Sequence, residues 1–172
     1  THMKTKVRLE IKRKMSFADA YSFGAVGPYE RLVGIAHFEL DPSDKHNSNI
    51  VDLGFAPINN RGLVEFKADL DIMKPVNTAL GNHTILYDVS NRGNRTALSG
   101  FNDAPRTPNP ISLGDAGNGF LMRNGYTIVW SGWQGDLIPD GKLLTTDLPE
   151  GIQSGKRLEG TVRQEFIVEK AE

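Results

Sequence analysis

The sequence predicts an α/β fold rich in β-strand, with several antiparallel strands and one parallel βαβ unit. Three observations carry this reading. Residues 63–73, LVEFKADLDIM, alternate strictly, with Val64, Phe66, Ala68, Leu70 and Ile72 expected inward and Glu65, Lys67, Asp69 and Asp71 toward water. Residues 83–89 and 126–130 are instead apolar or aromatic on both faces, as in strands buried on two sides. Between these two lies a short helix, FLMRN, closed by Asn124-Gly125, because glycine enters the left-handed region without a Cβ penalty. Phe120, Leu121 and Met122 form its apolar face, and Asn118 or Asp115 is its expected N-cap.

The 172 residues, 38% of them apolar, suffice for one domain with a substantial core. Thr1-His2-Met3 is not a natural start and reads as a cloning remnant, leaving residues 4–172 as a single β-rich domain. A net charge of −1 gives no electrostatic case for nucleic acid or an anionic membrane. The absence of cysteine excludes disulfides and thiolate chemistry. No apolar run approaches the roughly 18 residues needed to span a bilayer.

In chain order, residues 4–15 place Val7, Leu9, Ile11 and Met15 against Lys6, Arg8, Glu10, Lys12 and Lys14, a one-sided strand with a lysine-protected edge. A glycine-punctuated loop over 17–28 follows, and then a strand with Leu32, Gly34, Ala36, Phe38 and Leu40 on one face, ended by Asp41-Pro42. Asp41, Asp44, His46, Asn47 and Asn49 crowd a polar loop, but their spacing misses the EF-hand pattern. Residues 49–53 are a short strand candidate, and 59–62 a tight turn. Asp69 and Asp71, on the expected solvent face, are not read as an acid–base pair.

A right-handed crossover from the strand at 83–89 through the Phe120 helix to the strand at 126–130 makes the two strands parallel neighbours. Residues 90–117, with Pro105, Pro108 and Pro110, form a loop far longer than the ordinary connection, which points to function. It leaves the carboxyl end of a parallel strand, where ligands bind in such sheets. A hairpin is expected at residues 139–141, and a final one-sided strand carries Leu158, Val162, Phe166 and Val168.

Residues 151–157, GIQSGKR, fall one residue short of a phosphate-binding loop. His37, His46 and His83 lack zinc spacing. No G-x-S-x-G nucleophile elbow occurs. Neither a metal nor a cofactor is expected, and the expected partner is a small-molecule substrate or ligand.

The segments GAVGPYERLVGIAHFELDP, NIVDLGFAPINNRGLVEFKADLDIMKP, ILYDVSNRGN and GFLMRNGYTIVWSGWQGD resemble a family of large bacterial α/β-hydrolase-domain proteins, mostly uncharacterised and grouped as esterases. The likeness runs from about Val7 to Val168 and concerns the N-terminal part of the α/β-hydrolase sheet. It implies that residues 85–89 are the third strand of such a sheet and 126–130 the fourth. The loop after the third strand would supply an oxyanion-hole N–H, which makes Asn91, Arg92 and Gly93 the candidates. Trp130, Trp133 and Gln134 would line the substrate pocket, and the nucleophile, acid and histidine would lie downstream of Glu172. A plain polar turn, with Arg92 paired to Asp88 or Asp136, fits residues 90–94 as well.

Two further functions stay open at this level. Trp130 and Trp133 suit a binding module for carbohydrate or aromatic ligands. Asp88, Asp115 and Asp136 would gather at one end of the parallel pair as acid–base groups for glycosides. With its fourth strand lacking a neighbour, such a sheet is also expected to form a homodimer through exposed strand edges.

Overall fold

The alternation of residues 63–73 becomes the central strand of a mixed sheet. The structure, a computed structural model, describes residues 5–138 and 140–165. Strands β1 (Lys6–Ser16), β2 (Tyr29–Leu40) and β3 (Val64–Pro75) form an antiparallel meander. After β3 come β4 (Ile85–Val89), helix α1 (Ala97–Phe101), helix α2 (Phe120–Arg123) and β5 (Thr127–Ser131). The order across the sheet is β1-β2-β3-β5-β4, and β6 (Thr146–Asp147) pairs with β3 to complete six strands. A separate two-stranded hairpin joins β7 (Ile152–Gln153) to β8 (Lys156–Arg157).

The parallel unit forms as expected: β4 and β5 pair in parallel from Ile85↔Thr127 to Val89↔Ser131. The expected exposed edge does not. Residues 127–131 lie inside the sheet, between β3 and β4, and β4 is the edge strand. Nor is β4 buried on both sides, since Ile85, Tyr87 and Val89 are exposed. Residues 49–53 form turns and a short 3-10 segment rather than a strand, because the loop closes on its own carbonyls through Ile50 N–H to Asn47 and Phe55 N–H to Asp52. Residues 158–165 are not strand, and the hairpin residue Pro139 and the final-strand residues Phe166 and Val168 lie outside the described residues.

A bulge changes the reading of β1. The pairing slips between Ile11 and Arg13, so Met15 pairs with Arg31 and stands on the face opposite Val7, Leu9 and Ile11. The bulge sits opposite Gly34, where a Cβ would lie 2.0 Å from the Glu10 carbonyl oxygen. Only glycine permits that approach.

The core lies on one face of the sheet, where Phe17, Tyr29, Met73, Ile128 and Trp130 meet Leu98 of α1 and Leu121 and Met122 of α2. The Tyr29 hydroxyl donates 2.8 Å to the Tyr126 carbonyl, which fastens the α2–β5 turn to the start of β2. The α2 N-terminus is served by two asparagines: Asn118 Oδ1 accepts from Phe120 N–H at 2.9 Å, and buried Asn102 Oδ1 accepts from Leu121 N–H at 3.0 Å. Asp115 instead takes the amides of Ile111 and Ser112.

The largest departure from the alternation concerns Asp71, expected toward water and found 0% exposed. It shares its face with Met73, and Arg31 reaches it diagonally from β2. Arg31 Nη2 lies 2.6 Å from Asp71 Oδ2, and Arg95 Nε lies 2.6 Å from the same oxygen. Removing one partner from a buried ion cluster costs about 3–5 kcal/mol. Asp71→Ala should therefore lower stability by at least that much, as a fall in the urea midpoint, whereas Glu65→Ala on the exposed row should not.

Acid should act through Glu30, which is buried between Lys14 and Lys74 at 2.8 and 2.7 Å. Burial pushes its pKa up, but the two ammonium partners outweigh it and hold the carboxyl below its ordinary 4.5. The stabilisation is present above the ordinary value and is lost as pH falls through the lower folded-state value. Urea midpoints measured from pH 5 downward should fall less steeply for Glu30→Gln than for the parent.

Candidate functional site

Two loops leave the carboxyl ends of the parallel strands, residues 90–94 after β4 and 132–136 after β5, and side chains lace them together. The Arg92 N–H donates 2.8 Å to Gln134 Oε1. The Arg92 guanidinium grips Asp136 through Nη1, at 2.9 and 2.7 Å. Trp133 donates its indole N–H to the Ser90 carbonyl at 2.5 Å. Asn91 and Asn94 bridge the turn, and Arg92 and Gly93 take positive φ of 52° and 77°. At Gly93 a Cβ would come within 2.7 Å of the Leu144 carbonyl oxygen, so the turn packs against the segment that follows β5. The pairing of Arg92 with Asp136 holds that carboxyl below the usual aspartate range.

Asp88 points to the other side of the loop base. Its carboxylate accepts from Thr96 N–H, Thr96 Oγ1, Ala97 N–H and Trp130 Nε1, all at 2.6–2.8 Å. Four donors on two oxygens make it the anchor of the start of α1, and Arg92 pairs with Asp136 instead. Trp130 is 0% exposed and sits in the core, whereas Trp133 is 55% exposed at the loop surface. A ring-stacking surface therefore rests on Trp133 alone. The carboxylates proposed for glycoside chemistry are each engaged internally: Asp88 as described, Asp115 by Ile111 and Ser112, and Asp136 by Arg92.

Beneath the loops lies the ion cluster on Asp71. Arg95 is 9% exposed, and its Nη1 donates to the carbonyls of Pro108 and Lys142. Burial pulls its pKa down, and Asp71 opposes that pull. Arg31 Nη1 donates to Asn109 Oδ1 and the Pro110 carbonyl. Above Arg95 opens a cavity of about 220 Å³ bordered by Asn91, Asn94, Thr96, Arg106 and Thr107. A larger hollow of about 860 Å³ lies on the antiparallel arm, against Phe38 and Phe66. Of the charges around it, Arg61 pairs with Glu39, His37 with Glu10 and Lys67 with Asp147, and it lies away from the carboxyl ends of the parallel strands. The small cavity is the better chemical candidate.

Of the predicted residues, the structure brings Asn91, Arg92, Gly93, Trp133, Gln134 and Asp136 together and places Asp88 and Trp130 below them. Arg31, Asp71, Arg95 and Arg106 went unpredicted. The one available signal was the recurrence of arginine at 92, 95 and 106 within the long loop. No group of three or more histidine or acidic side chains among the described residues is arranged to hold a metal ion, and no described helix is long and apolar enough to cross a membrane. Comparison with protein-family models, curated proteins and solved structures finds no match to this chain.

The role of Asp88 is directly testable. Asn at this position keeps one acceptor oxygen and turns an N–H₂ toward other donors, and each buried group left unsatisfied costs about 1–3 kcal/mol. Asp88→Asn should thus destabilise the fold measurably in urea titration and loosen hydrogen-exchange protection at Thr96 and Ala97.

Proposed function

We propose that the carboxyl ends of β4 and β5 form the oxyanion side of a carboxylic-ester hydrolase site, whose nucleophile is not among these residues. The observation that carries the reading is the Arg92 N–H: it is presented from a positive-φ turn and held at 2.8 Å by the neutral carbonyl oxygen of Gln134. An ester carbonyl could take that place, and its developing negative charge would bind the donor more strongly than an amide oxygen does. Trp133 stands beside the turn, available to cover an acyl or alcohol group. A chain bearing only this part of the machinery would hold transition-state analogues while turning over esters weakly or not at all.

A second reading, a binding module for ring-bearing ligands, draws support from the exposed and pinned indole of Trp133. One NMR titration separates the two. With a phosphonate monoester as tetrahedral analogue, the Arg92 amide proton should move downfield saturably, and Gln134→Ala should tighten binding by freeing the donor. An Arg92 amide that stays still in both proteins would sink the ester reading. A Trp133 indole signal that responds instead to a disaccharide would favour the module.

A further inference from the structure

We propose that the cavity above Arg95 is a binding site for a small oxyanion, a carboxylate or a phosphate group. At about 220 Å³ it is smaller than the roughly 300–1,000 Å³ of a drug-sized pocket and suits one such group with its first attached atoms. No carboxylate lines it among the described residues. Arg106 makes no hydrogen bond or ion pair with any described residue.

Arg95 supplies the deeper half of the site. Its Nε and Nη1 are committed to Asp71, Pro108 and Lys142, which fixes the plane of the guanidinium. No described residue takes a hydrogen bond from its Nη2. Yet no buried side-chain nitrogen or oxygen among the described residues lacks a partner, so this edge is open to solvent although the residue is 9% exposed. The charge argument agrees. Arg31 and Arg95 share the single carboxylate of Asp71, while Asp88 is occupied by four donors and Asp69 by the Thr145 amide. A held, partly compensated guanidinium and a free one bordering the same cavity supply donors suited to an oxyanion.

Asn91 and Asn94 border this cavity and also belong to the turn that carries Arg92. If the ester reading holds, on which this step alone rests, the substrate is an ester bearing a second, negatively charged group.

The test is a titration with inorganic phosphate and, separately, acetate at constant chloride, followed by amide shifts and calorimetry. Saturable binding with shifts at Asn94, Thr96 and Thr107 is expected for at least one anion, and the tighter of the two names the group. Loss of one charge-assisted bond is worth a factor of about ten or more, so Arg106→Gln should weaken binding at least that far, and Arg106→Lys less. Arg106 is exposed and bonded to nothing described, so both variants should keep the parental urea midpoint. No saturable response at about 10 mM, ten times a millimolar Kd, would overturn the proposal. So would equal affinity in Arg106→Gln. The Arg92 amide should be indifferent to Arg106→Gln, so failure here and failure of the ester reading give different spectra.

Discussion

A single buried carboxylate fixes how the loops sit on the sheet. Asp71 projects from β3 into the covered face and draws Arg31 from β2 and Arg95 from the long loop onto its two oxygens. Each arginine then spends another nitrogen on backbone carbonyls, Arg31 on Pro110 and Arg95 on Pro108 and Lys142. A stretch that contains Pro105, Pro108 and Pro110 has few N–H groups with which to build its own ladder, so carbonyl-to-guanidinium bonds take over that work. The cluster gains little net stability over an apolar replacement, because three charges must be stripped of water. What it provides is direction: a leucine at position 71 would pack, but it could not hold two loops in register.

The same economy recurs at Asp88. Its partners come from the helix start and from Trp130, so the strand that ends at Val89, the helix that begins at Ala97 and the neighbouring strand are tied at one point. Asn102 does the corresponding work further along. It accepts from Leu121 and donates to the Ala116 carbonyl, while Gly117, at φ 55°, lets the chain pass within reach of the Asn102 carbonyl. The long connection is thus ordered by three polar side chains, Asp71 and Asn102 buried and Asp88 half-buried, more than by secondary structure. Its ends are held closely enough to shape a cavity.

Much of this frame was legible in the sequence, and the failures share a cause. Alternation located β1, β2 and β3, and a two-sided apolar run with a glycine-stopped helix located the parallel pair, because those signals are local. Asp71 defeated the same rule. A charged residue in an alternating strand reads as solvent-facing unless its cations are visible, and Arg95 lies 24 positions away in sequence. The face assigned to Met15 failed for a related reason, since a one-residue bulge reverses every side chain beyond it and leaves no local mark except Gly34 on the partner strand. At the candidate site, the turn 90–94 and its neighbours Gln134 and Asp136 were found from motif blocks. The arginine-bordered cavity was not, because the commitments of a guanidinium can be counted only once its partners are placed.

Charge placement around the turn also bears on what could bind there. Asp136 lies two residues beyond Gln134, the acceptor of the Arg92 amide, and left alone its charge would oppose a developing oxyanion at that donor. The Arg92 side chain neutralises it on the spot, so the backbone N–H of a residue and the guanidinium of the same residue act on opposite problems. Gln134 is the neutral occupant of that donor. Exchanging its amide oxygen for an oxygen that gains charge replaces an ordinary hydrogen bond with one roughly twice as strong, so displacement favours the charged state over the ground state. An acidic side chain at position 134 would reverse this, binding the amide too well to leave. On the proposed ester reading, the displaceable neutral acceptor and the compensated carboxylate together suit this turn to an oxyanion.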